Sequence, residues 1–321
     1  MIAAFYGSAD RGAVCSGDAA VGALSALRGP MCRRRLPVLM TTLPAIPRVA
    51  LAGGVEVPAL GLGTWHMGES RAAHRHEAAA LREGIAHGMT LIDTAEMYGD
   101  GGAEEVVAEA LYGQRERCFV VSKVLPQHAS AKGVVAACER SLARLRTDHL
   151  DLYLLHWRGR VPLAETVQAF ESLRRDGRIR RWGVSNFDVD DMEELFALPD
   201  GRHCAANQVL YHLGERGIEW ALVELCRRHG VAIMAYSPFD EGRLLANRAL
   251  AAIAAHADAT PAQVALAWLI ARNVIAIPKS AHVRHVHDNA AAASLRLTRA
   301  MLAEIDAAFP PPSHATPLAM I

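Results

Sequence analysis

Four side chains that could together transfer a proton follow three consecutive β-like runs of the sequence. Asp93 lies in the run TLIDTA, and Tyr98 comes five residues later, just before a Gly-Asp-Gly-Gly segment. Lys123 lies in the next run, FVVSKV, and His156 closes the third, LDLYLLH. The carboxyl ends of the parallel strands of a barrel meet at one rim, so these four side chains are expected to converge there.

The side-chain types of these four residues are suited to a site that donates a proton. A free tyrosine has a pKa near 10, and a neighbouring ammonium such as that of Lys123 lowers this pKa because it stabilises the phenolate. A buried ammonium needs a counter-charge, which Asp93 can provide, and His156 can hydrogen-bond a substrate carbonyl. No serine or cysteine nucleophile belongs to the set, so the complementary reagent must come from a cofactor such as a hydride donor.

Each of these residues also has a purely structural interpretation. Asp93 could cap the following segment, Lys123 could form an ion pair at a barrel rim, and His156 could be a hydrogen-bonded core histidine. Loop tyrosines such as Tyr98 are common. Their arrival from adjacent strands at the same end favours the catalytic interpretation.

Eight β-like runs alternate with helical patterns, and this number favours a single (β/α)8 TIM barrel of the α/β class. The runs cover residues 59–65, 90–95, 119–124, 150–156, 179–186, 205–209, 232–238 and 274–280. Helical patterns include residues 133–146 and 260–273, the latter beginning with Thr260 and Pro261 as N-cap and first helical residue. Two short β-type runs around Gly53-Gly54 predict an N-terminal β-hairpin that closes the barrel bottom.

A doubly wound sheet is the alternative architecture, since it also alternates strands and helices. Its dinucleotide site normally carries Gly-x-Gly-x-x-Gly after the first strand. The segment GLGTWH has His66 at the third glycine position, so the pattern fails.

The barrel is expected to span residues 47–321, after an N-terminal extension over residues 1–46 that shows no sustained periodicity. A targeting segment is one interpretation, because three adjacent arginines precede a short apolar stretch, but Pro37 and Pro44 interrupt that stretch. A disordered extension or an upstream start codon is the favoured interpretation.

Composition limits the partners. The 321 residues include 34 basic and 34 acidic side chains, so no charge bias points to nucleic acid or a membrane surface. Six cysteines are scattered without metal-type or C-x-x-C spacing, which indicates reduced thiols and a cytoplasmic location. We expect a small-molecule partner, no membrane span and a monomer.

Several motifs in order show that the chain resembles the aldo-keto reductases, which are NAD(P)H-dependent (β/α)8 barrels. They are GLGTW (61–65), LIDTAEMYGD (91–100), VSKV (121–124), LDLYLLHW (150–157), GVSNF (183–187), NQV (207–209), AYSP (235–238) and IPKS (277–280). The resemblance covers residues 47 to 309. It implies reduction of a carbonyl by a hydride, with Tyr98 as general acid, Lys123 as the group that lowers its pKa, Asp93 as the anchor of that lysine and His156 as the group that orients the carbonyl.

The resemblance also implies binding residues. Cofactor contacts are expected from strand ends and the last βα loop: Gly63, Thr64, Asp93, Ser185, Asn186, Gln208, Tyr236, Ser237, Phe239, Lys279, Ser280, Arg284, His285, Asp288 and Asn289. Substrate contacts are expected from Trp65, Tyr98, His156 and Trp157, the two tryptophans walling an apolar pocket or, alternatively, packing on the rim.

One position departs from the family pattern. Many NADPH-preferring members have an arginine six positions after the lysine of IPKS, and this chain has His285 there, with Arg284 just before it. A neutral imidazole binds phosphate less well than a guanidinium. NADPH is the expected cofactor because Lys279 and Ser280 are present, and NADH use is possible.

Two histidine-rich segments, HRHE at residues 74–77 and SAHVRHVH at residues 280–287, suggest metal binding at first sight. Adjacent or i, i+2 histidines on one helix point away from each other, so a solvated helix face and no metal site are expected.

Two classes of function are compatible with the sequence. The favoured one is reduction of small aldehydes and 2-oxoaldehydes such as methylglyoxal, because the stretch after Gln208 is short and the tail AFPPPSHATPLAMI is too brief to predict a deep specificity loop. The alternative is a nucleotide-binding regulatory or redox-sensing subunit with little turnover, because a fold alone does not decide function.

Overall fold

The structure, a computed structural model, describes residues 45–321, and the predicted extension over residues 1–46 lies outside the described residues except for its last two positions. The strands are β1 (Arg48–Ala50), β2 (Glu56–Pro58), β3 (Leu62–Gly63), β4 (Leu91–Asp93), β5 (Phe119–Val124), β6 (Leu152–Leu155), β7 (Trp182–Ser185), β8 (Ala206–Leu210), β9 (Ala232–Tyr236) and β10 (Ile275–Ala276). The helices are α1 (His74–Ala86), α2 (Gly102–Leu111), α3 (Ala131–Leu145), α4 (Leu163–Arg175), α5 (Val189–Ala197), α6 (Leu222–Arg228), α7 (Arg248–His256), α8 (Pro261–Ala271), α9 (Val283–Ala291) and α10 (Arg299–Ala308).

Strands β3 to β10 form one parallel sheet in chain order, and its two edges meet. Parallel bridges join Leu60 to Ala276 and Gly63 to Lys279, and the Gly61 N–H donates to the Ala276 carbonyl at 2.8 Å. Closure leaves no free sheet edge, and helices separate the strands along the chain. The predicted (β/α)8 barrel is confirmed.

An antiparallel hairpin of β1 and β2 precedes the barrel. Gly53 and Gly54 both have positive φ, 85° and 79°, as the predicted tight turn requires. Val49 and Val57 of the hairpin belong to the same buried cluster as side chains from the barrel strands, such as Leu152 and Met234. The hairpin therefore covers the interior of the barrel with apolar side chains, as predicted.

Some strands are shorter than the β-like runs that predicted them. The last run, residues 274–280, contributes only β10 to the ladder, and the first run contributes only β3 beyond an isolated bridge at Leu60. Pro278 has no N–H to donate, and the chain leaves the ladder near the barrel mouth. The predicted helix 260–273 begins as expected, since Thr260 caps α8 in a reciprocal pair of hydrogen bonds with Gln263.

None of the helices described in residues 45–321 combines the length and apolar character needed to cross a membrane.

Candidate active site

The four predicted catalytic residues lie together at the carboxyl ends of β4, β5 and β6. The Lys123 ammonium donates to Asp93 Oδ2 at 2.6 Å and lies 3.0 Å from the Tyr98 hydroxyl. Its third partner is the Thr94 carbonyl, at 3.0 Å. The rings of Tyr98 and His156 meet edge to face, with centroids 5.7 Å apart. All four side chains are buried.

The loop after Tyr98 explains the glycines that follow it in the sequence. It packs against the loop after β3 so closely that a Cβ on Gly102 would lie 2.4 Å from the Gly68 carbonyl oxygen. A Cβ on Gly99 would likewise lie 2.7 Å from the Met67 carbonyl oxygen. The two loops can therefore touch backbone to backbone only with glycine at these positions, and this contact fixes the segment that carries Tyr98.

Burial sets the resting protonation of the tyrosine. Burial raises the pKa of Tyr98 above its ordinary value, while the Lys123 ammonium opposes the rise and the Asp93 carboxylate adds to it. The predicted lowering by Lys123 is thus present but weaker than the effect of burial, and the Asp93 carboxylate also opposes it. Tyr98 is therefore protonated at neutral pH.

Lys123 stays charged although its side chain is fully buried. Burial alone would lower the pKa of Lys123, but the Asp93 carboxylate and Tyr98 more than offset it, so the pKa lies above its usual value. An ammonium at this position would stabilise a phenolate at Tyr98.

A cavity of about 800 Å³ opens in front of these residues at the barrel mouth. Most of the predicted site residues line it: Gly63, Thr64, Trp65, Asp93, Tyr98, His156, Trp157, Ser185, Asn186, Gln208, Tyr236, Ser237, Phe239, Lys279, His285, Asp288 and Asn289. Lys123 does not line the cavity because it lies behind Asp93 and Tyr98. One elongated space therefore joins the proton donor to the loop after β10.

Comparison with known proteins shows the family of the chain. The model of the aldo/keto reductase family matches residues 59–309. The chain belongs to this family. Methylglyoxal reductase YeaE of Escherichia coli K12 is 52% identical over 279 residues, which cover 85% of this chain and 98% of that protein. Glyoxal reductase of Bacillus subtilis 168 is 35% identical over 259 residues, which cover 81% of this chain and 91% of that protein.

Solved structures of aldo/keto reductases are similar to this chain in sequence and in fold. An aldo/keto reductase from Klebsiella pneumoniae, crystallised with NADP and acetate, has 50% sequence identity and a TM-score of 0.84, and the match covers 86% of this chain and 100% of that one. A second structure from the same organism, with NADPH, has 51% identity and a TM-score of 0.84. The present chain is thus an aldo/keto reductase in sequence and in fold.

Two predicted cofactor residues of this aldo/keto reductase lie outside the cavity lining. The Ser280 hydroxyl donates to the His282 carbonyl at 3.1 Å and accepts from the His282 N–H at 3.2 Å, so it is occupied at the start of α9. Arg284 is exposed, while the next residue, His285, lines the cavity. The helix α9 therefore places His285 at the cavity and leaves the neighbouring Arg284 outside its lining.

The sequence interpretation missed several lining residues of the aldo/keto reductase. Met320 and Ile321 reach the cavity from the C-terminal tail, for which the sequence predicts no deep specificity loop. Arg216 anchors the start of the tail, since its guanidinium donates to the Phe309 carbonyl and to Asp306. No periodic pattern in the sequence marks this path. The loop after β9 adds Glu241, Gly242 and Leu245, and Met97 lies beside Tyr98.

The amide side chains on β7 and β8 connect the proton donor to the rest of the cavity. Gln208 donates to Asp93 Oδ1 at 2.7 Å, and Tyr236 donates to Asn186 Oδ1 at 2.9 Å. Asn186 and Ser237 have φ of 58° and 46°, in the left-handed region that ordinary residues seldom occupy. Such backbone outliers concentrate at binding sites, and both of these line the cavity.

His156 is the neutral partner of the tetrad. Burial and the nearby Lys123 ammonium lower the pKa of His156 to about 2. Its Nδ1 atom is buried without a hydrogen-bond partner among the described residues, so Nε2 is the atom available to a substrate. A neutral imidazole can donate a hydrogen bond to a carbonyl without adding a second positive charge beside Lys123.

This low pKa predicts a specific acid sensitivity. Between pH 6.5 and 2 the unfolded chain protonates His156 and the folded chain does not, so its contribution to stability falls as pH drops through that window. At pH 5 the loss is about 2 kcal/mol, from about 1.4 kcal/mol per pH unit below 6.5. Urea unfolding at pH 7 and pH 5 should therefore show a smaller loss for His156→Asn than for the intact chain. His76→Asn, at an exposed position on α1, is the control, and equal losses in all three proteins would contradict the prediction.

Proposed function

We propose that this protein uses NADPH to reduce small aldehydes and 2-oxoaldehydes, such as methylglyoxal, to alcohols, with Tyr98 as the general acid. The observation that carries the proposal is the placement of the Tyr98 hydroxyl. It lies 3.0 Å from a fully buried ammonium on one side and borders the cavity, next to a neutral histidine, on the other.

His156, Tyr98 and Lys123 have different roles in the proposed reaction. His156 donates a hydrogen bond to the substrate carbonyl oxygen and directs it toward Tyr98. NADPH, when bound, would supply the hydride for the carbonyl carbon. The nucleotide would thereby be oxidised to NADP⁺. As the C=O π bond breaks, Tyr98 gives its proton to the oxygen, and Lys123 stabilises the resulting phenolate, which solvent protons later restore.

A second tyrosine, Tyr236, also lines the mouth of the cavity. Burial raises the pKa of Tyr236 to about 12, and its hydroxyl donates to Asn186. Among the cavity-lining tyrosines of the described chain, only Tyr98 has an ammonium within hydrogen-bond distance. We therefore assign proton donation to Tyr98. The Tyr236 ring forms an aromatic wall of the cavity.

The cavity fits a dinucleotide. It extends from Tyr98 and His156, past Tyr236, to Lys279, His285 and Asn289 on and before α9. Lys279, which follows β10, offers positive charge for a phosphate. The K. pneumoniae relatives were crystallised with NADP and with NADPH, which supports the same cofactor here.

The choice of substrate class rests on the walls beside Tyr98. The Trp65 ring packs edge to face on the Tyr98 ring at 4.8 Å, and the Trp157 ring lies 4.8 Å from the His156 ring. Together with Met320 they give the substrate end an apolar surface with a polar base. Relatives described as methylglyoxal reductase and glyoxal reductase act on compounds of this size.

The test is consumption of NADPH absorbance by the purified protein with methylglyoxal, glyoxal, short aldehydes and bulky ketones. Turnover of the short 2-oxoaldehydes and aldehydes is expected. If the protein reduced bulky ketones and ignored the short compounds, the proposed substrate class would be wrong.

We further propose a cytoplasmic setting, which the four free, buried cysteines of residues 45–321 support. The monomeric state stays a prediction.

The position of His285 predicts a way to change cofactor preference. His285→Arg places a guanidinium at the cavity end that holds Lys279, where it can pair with the 2′-phosphate that NADPH has and NADH lacks. A charge-assisted hydrogen bond contributes about 1.5–3 kcal/mol, so we expect NADPH to bind about tenfold tighter or more, with NADH nearly unchanged. Kd values from fluorescence titration of both nucleotides measure this.

Arg284→Ala is the matched control, because Arg284 is exposed and lies outside the cavity lining. We expect its NADPH Kd to match that of the intact chain. Unchanged NADPH affinity in His285→Arg, or a marked loss in Arg284→Ala, would show that α9 presents a different face to the nucleotide.

A further inference from the structure

Two helices on the outside of the barrel bring together a carboxylate and two imidazoles. Glu83 and His87 lie four residues apart on the last turn of α1 and at its C-cap, so they share one side of the helix. His287 comes from α9, which packs against α1. Glu83, His87 and His287 are called here the α1–α9 triad.

The three side chains are within reach of a single ion. His287 Nε2 lies 2.7 Å from Glu83 Oε1, and His87 Nδ1 lies 3.4 Å from the same oxygen. The two imidazole centroids are 4.5 Å apart, and one potential ligand atom from each residue lies within 4.8 Å of the other two. Ligands of a tetrahedral zinc at bonds of about 2.0–2.1 Å lie roughly 3.3 Å apart. Small rotations of partly exposed side chains would close that gap.

The ion-pair partners of the Glu83 carboxylate among the described residues are the two histidines. No lysine or arginine of the described chain lies within ion-pair distance of Glu83, whose recorded partners are His87 and His287. A second cluster, around Glu171 and His203, differs in this respect. There the carboxylate already accepts from Arg174 at 2.7 Å and from the Trp182 indole at 2.7 Å. A cation would have to displace these donors at Glu171, but not at Glu83.

The His87 ring lies against the main chain of α1, with its Nδ1 2.9 Å from the main-chain carbonyl oxygen of Glu83. The side chains of Glu83, His87 and His287 are 35%, 20% and 48% exposed, so an ion can enter from solvent.

The sequence interpretation argued against metal because neighbouring histidines on one helix diverge. That reasoning holds within α9, and it does not consider pairing between helices. The structure pairs one histidine of the histidine-rich segment with a Glu-x-x-x-His on α1, which is over 190 residues earlier in the chain.

We propose that the α1–α9 triad is a binding site for a divalent transition cation of the zinc type. Two histidines and one glutamate are a ligand set that Zn²⁺ accepts, with water completing the tetrahedron. The site does not rest on the proposed function. His287 lies outside the cavity lining, to which the same helix contributes His285, Asp288 and Asn289.

The test is titration of the purified full chain with Zn²⁺, under reducing conditions in a buffer that does not chelate metals, followed by calorimetry. The intact chain is expected to bind one equivalent through this site, and His287→Ala and Glu83→Gln to bind that equivalent at least tenfold more weakly. His76→Ala removes an exposed imidazole from α1 and should bind like the intact chain.

Thermal unfolding supplies a second readout that does not depend on activity. With Zn²⁺ at about a hundredfold excess over Kd, the intact chain should gain about 5 °C in Tm and His287→Ala should gain little. Without metal the two should melt alike, because His287 is half-exposed. Zinc binding to cysteines elsewhere would persist in His287→Ala. The proposal would be overturned if the intact chain bound no zinc, or if the triad variants kept its stoichiometry, affinity and Tm gain.

Discussion

Tyr98→Phe is expected to lower kcat for methylglyoxal reduction by about 10²- to 10⁴-fold, the range that a positioned general acid contributes. The substitution removes only the hydroxyl, which lies 3.0 Å from the Lys123 ammonium and supplies the proton. The ring keeps its edge-to-face contacts with Trp65 and His156, so the cavity should retain its shape. NADPH should therefore bind with nearly unchanged Kd, which fluorescence titration measures beside steady-state kinetics.

Tyr112→Phe is the matched control for this loss. Tyr112 is 87% exposed at the end of α2 and remote from the cavity lining, so its hydroxyl should not matter for turnover. A Tyr98→Phe protein that kept more than a tenth of the intact kcat would mean that another group, or a water, donates the proton.

Lys123→Met is expected to reduce both turnover and stability. Without the ammonium, the pKa of Tyr98 rises further and its phenolate loses its stabilising charge, so kcat should fall by at least about 10²-fold. Asp93 would then be a buried carboxylate without its ion-pair partner, since Lys123 is fully buried and Asp93 nearly so. Breaking a buried pair in this way costs about 3–5 kcal/mol of folding free energy. Urea unfolding and steady-state kinetics measure the two losses.

The double variant Asp93→Asn/Lys123→Met separates these two effects. It removes both charges, and an asparagine at 93 can still accept from Gln208. We expect most of the lost stability to return while kcat stays low. Recovered activity in the double variant would show that the ammonium acts only by keeping Asp93 and the barrel mouth folded.

The convergence of the four proposed catalytic residues was predictable because most of them lie at strand ends, and a parallel barrel brings strand ends together whatever the helices between them do. Asp93, Lys123 and His156 needed only the correct assignment of three strands. Tyr98 required a loop to bend back, and the glycines after it, which permit the contact with Gly68, were visible in the sequence.

Other features depend on contacts between distant segments. Whether the Ser280 hydroxyl faces the nucleotide or bonds to the His282 backbone depends on the turn before α9, and the choice between Arg284 and His285 depends on how that helix is rotated. The path of the tail to Ile321 follows from the anchor at Arg216, which is nearly a hundred residues before the tail. No local pattern contains this information.

The pKa of Tyr98 shows a further limit of residue-level reasoning. The sequence identified Lys123 as a group that lowers this pKa, and the structure confirms that direction for the ion. The sequence does not reveal how completely the phenol is buried, or that the Asp93 carboxylate also binds the Lys123 ammonium. These features raise the pKa overall and keep the phenol protonated, and in the proposed reaction Lys123 acts during proton transfer.

The most direct test of the central claim is a single-turnover experiment. The intact chain is loaded with one equivalent of NADPH and mixed with excess methylglyoxal, and the nicotinamide absorbance is followed beside Tyr98→Phe treated in the same way. We predict rapid loss of absorbance in the intact chain, formation of the alcohol, and hardly any loss in the variant. Tight NADPH binding with no oxidation of the nucleotide by the intact chain, with methylglyoxal or any short aldehyde, would contradict the account and favour a nucleotide-binding regulatory role.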